Sequence, residues 1–389
     1  MIQLPIKLVK DTISSSEIDL LCDWLKTYPQ LTKGKLTEQF EAEFANWTGT
    51  KYSVFVNSGS SANLAMIYAL KVSNKLKNEK IVVPCVSWVT TVSPIIQFGM
   101  KPILCETDKD SLGIDINHFE KICKEESPAC LCLVHVLGFP NKMKEIKEIC
   151  KKYDVILLED SCESVGTEYE GKKTGTFGLM SSFSTYFGHH FSTIEGGFIC
   201  TDDFELYEVL KSIRSHGWSR DLSEQTKNRL QSEHQIDDFR NLYTFYFPGF
   251  NLRATDVQAF LGLNQLKSLN EKNNKRYKNL LTYHSNIKNS YWKIKFNNYV
   301  SNFAYPIIHP LKNKIVEKLK ENQIECRPLI CGSMSRQPFF YQRYGIVEHN
   351  FSDIIHDYGL YLPNNPDMTE EEVLYISNTV NSITKNINE

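Results

Sequence analysis

The chain has 389 residues, beyond the commonest single-domain size, which predicts one large and one smaller domain sharing an interface. Its 44 Lys+Arg stand against 46 Asp+Glu, a net charge of -2 with neither sign concentrated, which argues against a groove for nucleic acid. The N-terminus MIQLPIKLVKDTISSSE lacks an apolar signal core and the longest apolar run, ACLCLVHVLG, is far short of a membrane span; the expectation is a cytoplasmic protein with no membrane partner and its eleven cysteines as free thiols.

From about residue 50 to 200, short β-rich runs alternate with helical patterns, the sign of an α/β fold built from βαβ units on a mostly parallel sheet. The first unit is YSVFVNSGSSANLAMIYALKV: a strand at Tyr52 to Val56, a turn Asn57-Ser58-Gly59-Ser60-Ser61, then a helix with apolar Leu64, Ala65, Tyr68, Ala69 and Val72. Such a turn is a common N-cap, and it also offers N–H groups and the positive end of a helix dipole to an anion. Further strands are predicted in KIVVPCVSW, KPILCET, ACLCLVHVLG, DVILLEDSC, LMSSFSTYF and GGFICTDD, with a helix in NKMKEIKEICKKY. In VILLEDSCES, Glu159, Asp160 and Glu163 gather at a strand end, where open α/β sheets bind ligands; Asp160 also reads as a helix cap. From about 262 the sequence becomes a long charged helical stretch, LGLNQLKSLNEKNNKRYKNLLTYHSNIKNS, and the domain change is placed there, giving a large domain 1–261 and a smaller C-terminal α/β domain 262–389.

The stretch FSTYFGHHFSTIEGG has Ser184 five residues before His189 and Glu195-Gly196-Gly197 beginning six residues after it. Together with GTFG, FPGFNLRATDVQAFLGLNQL, LTEQFEAEFANWTGTKYSVFVNSGSSAN, VHVLGFPNKM, EDSCES and RSHGW, it resembles the DegT/DnrJ/EryC1/StrS aminotransferase-like family, the sugar-modifying branch of the pyridoxal-phosphate (PLP) fold-type I enzymes. The resemblance covers nearly the whole chain and implies an aspartate aminotransferase-like fold. It implies that Gly59, Ser60, Ser61 and Ser184 cradle the cofactor phosphate, and that Asp160 pairs with the pyridine nitrogen and keeps it protonated. Trp88, in VSWVT, matches an aromatic that stacks on the ring, with core packing as the plain alternative. Glu163 either hydrogen-bonds near the ring or caps the following segment. Asn251, in GFNLR, matches a residue reaching the phosphate from a neighbouring subunit, which implies a homodimer with shared active sites; Arg253 is close enough to assist.

Where the aminotransferases of this family carry a lysine that forms a Schiff base, this chain has His189. Imidazole forms no stable Schiff base but can move protons near neutral pH, so the resemblance implies non-covalent PLP or pyridoxamine phosphate (PMP) and His189 as the catalytic base. Lysine-less members of this kind resemble sugar 3-dehydratases. The implied substrate is a nucleotide-linked 4-keto-6-deoxyhexose, with the GDP-linked mannose derivative foremost, and L-glutamate restores the amine. Two other readings stay open: an aminotransferase with an atypical base, and a non-catalytic cofactor-binding regulator.

A related branch uses an iron-sulfur cluster held by four cysteines downstream of the histidine. Only Cys200, Cys326 and Cys331 lie downstream here, so neither a cluster nor another metal is expected. His216 in RSHGW and Arg327 in IECRPLICGSMSRQPFF are the candidate substrate-side residues. His118, His135, His234 and His349 read as structural, His190 is open between loop support and catalysis, and Lys172 and Lys173 sit in the wrong register to replace the lysine.

Overall fold

The computed structural model describes residues 2 and 4–384. Every predicted strand is present. They are β1 (Tyr52–Val56), β2 (Lys80–Pro84), β3 (Lys101–Cys105), β4 (Cys130–Val134) and β5 (Ile156–Asp160), then a two-residue hairpin β6 (Glu168–Tyr169) and β7 (Lys172–Lys173), then β8 (Met180–Ser184) and β9 (Gly197–Thr201). The predicted helix forms at Met143–Tyr153.

Seven strands form one sheet in the order β1-β9-β8-β5-β4-β2-β3. The β2-β3, β2-β4, β4-β5 and β5-β8 pairs are parallel, while β9 runs antiparallel to both β8 and β1. Consequently β1 points the same way as β8, and the C-terminal ends of β1, β2, β4, β5 and β8 share one edge. That edge receives the Ser58–Ser61 turn, Trp88, Asp160 and Ser184.

The central strands read as unbroken apolar runs because helices cover both faces. On one face Ile81, Val83, Cys130, Cys132 and Leu158 pack with Ala62, Met66 and Leu70 of the helix Gly59–Val72. On the other, Val82, Leu131, Leu133 and Leu157 pack with Phe119, Ile122, Ile146 and Ile149. Alternate residues of each strand thus go to opposite cores, and two cysteines fill hydrophobic positions as expected.

A second sheet, order β10-β12-β11, is antiparallel and consists of β10 (Tyr305–Ile308), β11 (Arg327–Pro328) and β12 (Gly359–Leu362). It packs in a C-terminal core with Leu319, Val373, Ile376 and Val380.

The boundary placed at 261/262 falls inside an unbroken 31-residue helix, Asp256–Asn286. Its first half contributes Ala259, Leu263 and Leu269 to an aromatic core with Phe40, Phe44 and Phe198. Its second half contributes Leu280 and Tyr283 to the C-terminal core. The sequence changes character there because the exposed face turns rich in Lys and Asn, not because the helix stops. Ile6, near the N-terminus, also belongs to the C-terminal core and bridges to Ile324, so the first residues pack with the last part of the chain.

The long helix begins with a polar clamp. Asp256 accepts hydrogen bonds from the N–H groups of Gly34 (2.8 Å), Leu36 (3.2 Å) and Thr37 (3.0 Å), and so caps the helix Lys35–Thr48 from outside.

Candidate active site

The turn after β1 has the geometry of an anion cradle. Ser58 is the N-cap of the helix Gly59–Val72, its side chain accepting from the Ser61 N–H at 3.0 Å. Gly59 is needed for close packing: a Cβ there would lie 2.7 Å from Cβ of Ser184. The missing side chain therefore brings the end of β8 against the helix N-terminus, joining Ser184 to Ser60 and Ser61. Gly197 of the EGG motif is constrained in the same way, since its Cβ would meet the backbone nitrogen of Gly59 at 2.5 Å.

Asp160 closes β5, and the alternation of a strand sends it and Glu159 to opposite faces. Oδ2 of Asp160 accepts from Asn63 Nδ2 at 2.8 Å and Thr91 Oγ1 at 2.9 Å, and Oδ1 accepts from the Cys162 N–H at 3.2 Å. Asn63 is itself held by Ser182 Oγ at 2.6 Å. Glu159 instead bonds His135 Nε2 at 3.0 Å and the N–H groups of Gly175, Phe177 and Gly178, so the GTFG motif is a structural loop wrapped on a buried carboxylate. His135 is structural, as read from the sequence.

His189 lies in the loop between β8 and β9. Its Nδ1 bonds the Cys162 carbonyl at 2.8 Å, which requires the hydrogen on Nδ1 and leaves a lone pair on Nε2. The ring packs on Phe303 with centroids 5.2 Å apart. Burial pushes the imidazole down to about 4, so it stands neutral and able to take a proton. His190 points elsewhere: it is fully buried and its Nε2 donates to the Ser301 carbonyl at 2.8 Å, which makes it a support of the loop.

Glu163 accepts from the Leu137 N–H at 2.7 Å, and Leu137 adopts a left-handed φ of 52° to present that group. Burial pushes the carboxyl up to about 8, with the charge of Asp160 acting in the same direction. Glu163 therefore anchors the loop after β4 as well as standing near Asp160.

Three outlying candidates come together. Arg253 Nε donates to Asn251 Oδ1 at 3.0 Å, and its NH2 lies 3.4 Å from His216 Nε2. Asn251 is exposed, and the segment flanks the end of β1 through a bridge between Val56 and Arg253. Arg327 is exposed on β11, opposite Tyr361 of β12, and its only side-chain hydrogen bond among the described residues is to the Cys326 carbonyl. Trp88 caps the helix Val89–Gln97 and is 52% exposed, so core packing does not explain it.

These residues fit a phosphorylated pyridine. The helix N-terminus with Ser60, Ser61 and Ser184 suits the phosphate; the anchored carboxylate of Asp160 suits a protonated ring nitrogen; the exposed indole of Trp88 suits a ring face. Among the described residues no three His, Cys, Asp or Glu side chains converge as metal ligands would, and no helix is long and apolar enough to cross a membrane. Sequence reading missed Asn63, Thr91 and Phe303. Asn63 closes the NSGSSAN motif and Thr91 directly follows VSWVT, so both stood beside residues already singled out, while Phe303 had no such neighbour.

Comparison with known proteins agrees with this geometry. The chain is 36% identical over 364 residues to GDP-4-keto-6-deoxy-D-mannose 3-dehydratase of Yersinia pseudotuberculosis, covering 87% of this chain and 89% of that one. A crystal structure of GDP-4-keto-6-deoxymannose-3-dehydratase with a trapped PLP-glutamate geminal diamine superposes with a TM-score of 0.87 at 31% identity, over 96% of this chain and 100% of the other. A mutant of that enzyme with bound GDP-perosamine gives 0.88 at 32% identity with the same coverage. With a match that runs from residue 12 to 381, past both sheets and every site residue above, the chain belongs to the DegT/DnrJ/EryC1/StrS aminotransferase family.

Proposed function

We propose that this protein is a PLP/PMP-dependent 3-dehydratase acting on GDP-4-keto-6-deoxy-D-mannose, with L-glutamate as amino donor. The observation that carries the reading is His189: an imidazole stands where the family's lysine would, with Nδ1 committed to Cys162 and Nε2 free. The similarity to dehydratases over most of the chain supports the substrate class.

When bound, pyridoxamine phosphate supplies an amine that condenses with the sugar ketone and a ring that accepts electrons from the adjacent C–H bond. Asp160 would meet the ring nitrogen with a side chain already held by Asn63 and Thr91, so it would need no reorganisation to stabilise positive charge there. Nε2 of His189 takes the proton and, as imidazolium, returns it to the hydroxyl leaving the sugar's C3. The products are ammonia and the 4-keto-3,6-dideoxy sugar, and L-glutamate, leaving as its 2-oxo acid, would supply the next amino group, with His189 Nε2 the side-chain atom able to move the proton.

Asn251, with Arg253 assisting, reaches the phosphate in a second copy of the chain, so the working unit is a homodimer, placed in the cytoplasm. Glu163 would stand near the ring through its closeness to Asp160. His216 and Arg327 serve the substrate side, where a diphosphate or the glutamate carboxylate suits a guanidinium.

The test is to incubate the protein with PLP, L-glutamate and GDP-4-keto-6-deoxymannose and follow ammonia and the mass of the nucleotide sugar. Ammonia with loss of one oxygen from the sugar is expected, and His189→Asn should lower its rate by about 10²–10⁴. An amino-sugar mass would identify an aminotransferase, and unchanged sugar with bound cofactor a non-catalytic binder.

A further inference from the structure

The base is held from a distant part of the chain. Arg276, on the second half of the helix Asp256–Asn286, is 3% exposed, and its NH2 donates to the backbone carbonyl of His189 at 3.1 Å. Its NH1 donates to the carbonyls of Phe303, at 3.2 Å, and Asn364. Phe303, whose carbonyl it holds, is the residue whose ring packs on the imidazole of His189. Asn364 follows β12 and bonds back through its side chain to the carbonyls of Arg276 and Asn302, each at 3.1 Å.

We propose that Arg276 is a positioning residue for His189: one guanidinium ties the carbonyl of the base to Phe303 and Asn364 and so sets the base by the seating of the C-terminal elements. The inference rests on the reading of His189 as the base. The three carbonyls are met from two separate nitrogens of the rigid guanidinium plane, NH1 and NH2; a lysine at the same place keeps the charge but presents its donors from one nitrogen and loses the fork.

The charge has a second consequence. Among the described residues no carboxylate lies within ion-pair distance of Arg276; the Asp367 charge favours the cation from farther away, and the cation opposes protonation of both His189 and His190. The other groups around the His189 ring are Asp160 and the Cys162 carbonyl, which favour protonation, the neighbouring His190, and the uncharged rings of Phe303 and Tyr186. Removing the Arg276 charge therefore raises the pH at which His189 takes a proton.

Two variants separate position from charge. In Arg276→Lys, kcat for ammonia release should fall by roughly ten- to a hundredfold, the range expected for a base displaced by a fraction of an ångström to about 1 Å. KM and cofactor affinity should stay within about twofold, and the acid limb of kcat should not move. In Arg276→Met, the acid limb should move to higher pH, and so should the ring titration of His189, read by NMR on histidine-labelled, cofactor-loaded protein. Wild-type kcat in Arg276→Lys would overturn the proposal, as would an unmoved His189 titration in folded Arg276→Met. If Arg276→Met does not fold, Arg276→Lys decides. If the wild type itself releases no ammonia from any nucleotide 4-keto sugar, the functional reading fails while the titration still decides what Arg276 does.

Discussion

Glu41 and Arg214 form a buried ion pair that satisfies both backbone groups of Phe55: Glu41 Oε1 accepts its N–H at 2.8 Å, and Arg214 NH1 donates to its carbonyl at 2.9 Å. Phe55 lies on β1, the edge strand beside β9, so two side chains occupy the place of the next strand. An unpaired sheet edge is a liability, and here it is closed with charge. Arg214→Met should cost about 3–5 kcal/mol in denaturant unfolding, because it strands the Glu41 carboxylate. Adding Glu41→Gln should recover part of that loss, since the amide still accepts from Phe55 without a buried charge. Simple additivity of the two changes would contradict this account.

Asp160 is held by Asn63, Thr91 and the Cys162 N–H. Thr91→Val keeps the shape and removes one donor; a hydrogen bond to a charged group is worth about 1.5–3 kcal/mol, so cofactor affinity should fall by roughly tenfold or more. Titration of the cofactor by absorbance checks this, and unchanged affinity would mean that Asp160 does not contact the ring.

Glu163 predicts a pH dependence of stability. Its folded value of about 8 lies above the ordinary 4.5, so the folded protein binds the extra proton. The resulting stability is fully present below about 4.5 and is lost as pH rises through about 8. In cofactor-free protein, Tm should therefore fall between pH 6 and 9, and Glu163→Gln, which keeps an acceptor for the Leu137 N–H, should flatten that fall. Parallel curves for the two proteins would show that Glu163 is ionised throughout.

Two glycines should behave oppositely. Gly59→Ala places a methyl 2.7 Å from Ser184 Cβ and should open the phosphate cradle, weakening cofactor binding by at least about tenfold. Gly188→Ala, next to the base, meets only Val9 and Tyr186 at 3.4–3.5 Å and should leave affinity within about twofold. Equal effects would mean that loop flexibility, not packing, matters at both.

The sheet was legible because strands buried on both faces must be apolar throughout, as in KIVVP and CLCLV, and the turn after β1 because Ser and Gly have few other uses before a helix. The contacts that finish the site were not. Asn63 meets Asp160 across 97 residues and Arg276 meets His189 across 87, distances at which no periodicity connects the partners. Composition also did not show that one helix, Asp256–Asn286, runs through residue 262, since the Lys and Asn content reports which face of a helix is wet and not where it begins or ends. His190 could not be assigned because the feature that settles it, the Ser301 carbonyl, comes from the other end of the chain.

The opposite facing of Glu159 and Asp160 on β5 carries a consequence for how such chains can change over time. One carboxylate builds the scaffold and the other faces the chemistry, and only the parity of the strand tells them apart. Substitutions around them can accumulate, but inserting or deleting one residue within Ile156–Asp160 would send each carboxylate to the other's face at a stroke, parting Glu159 from its loop and Asp160 from its donors. Length in this strand should therefore be far more tightly held among functional descendants than identity.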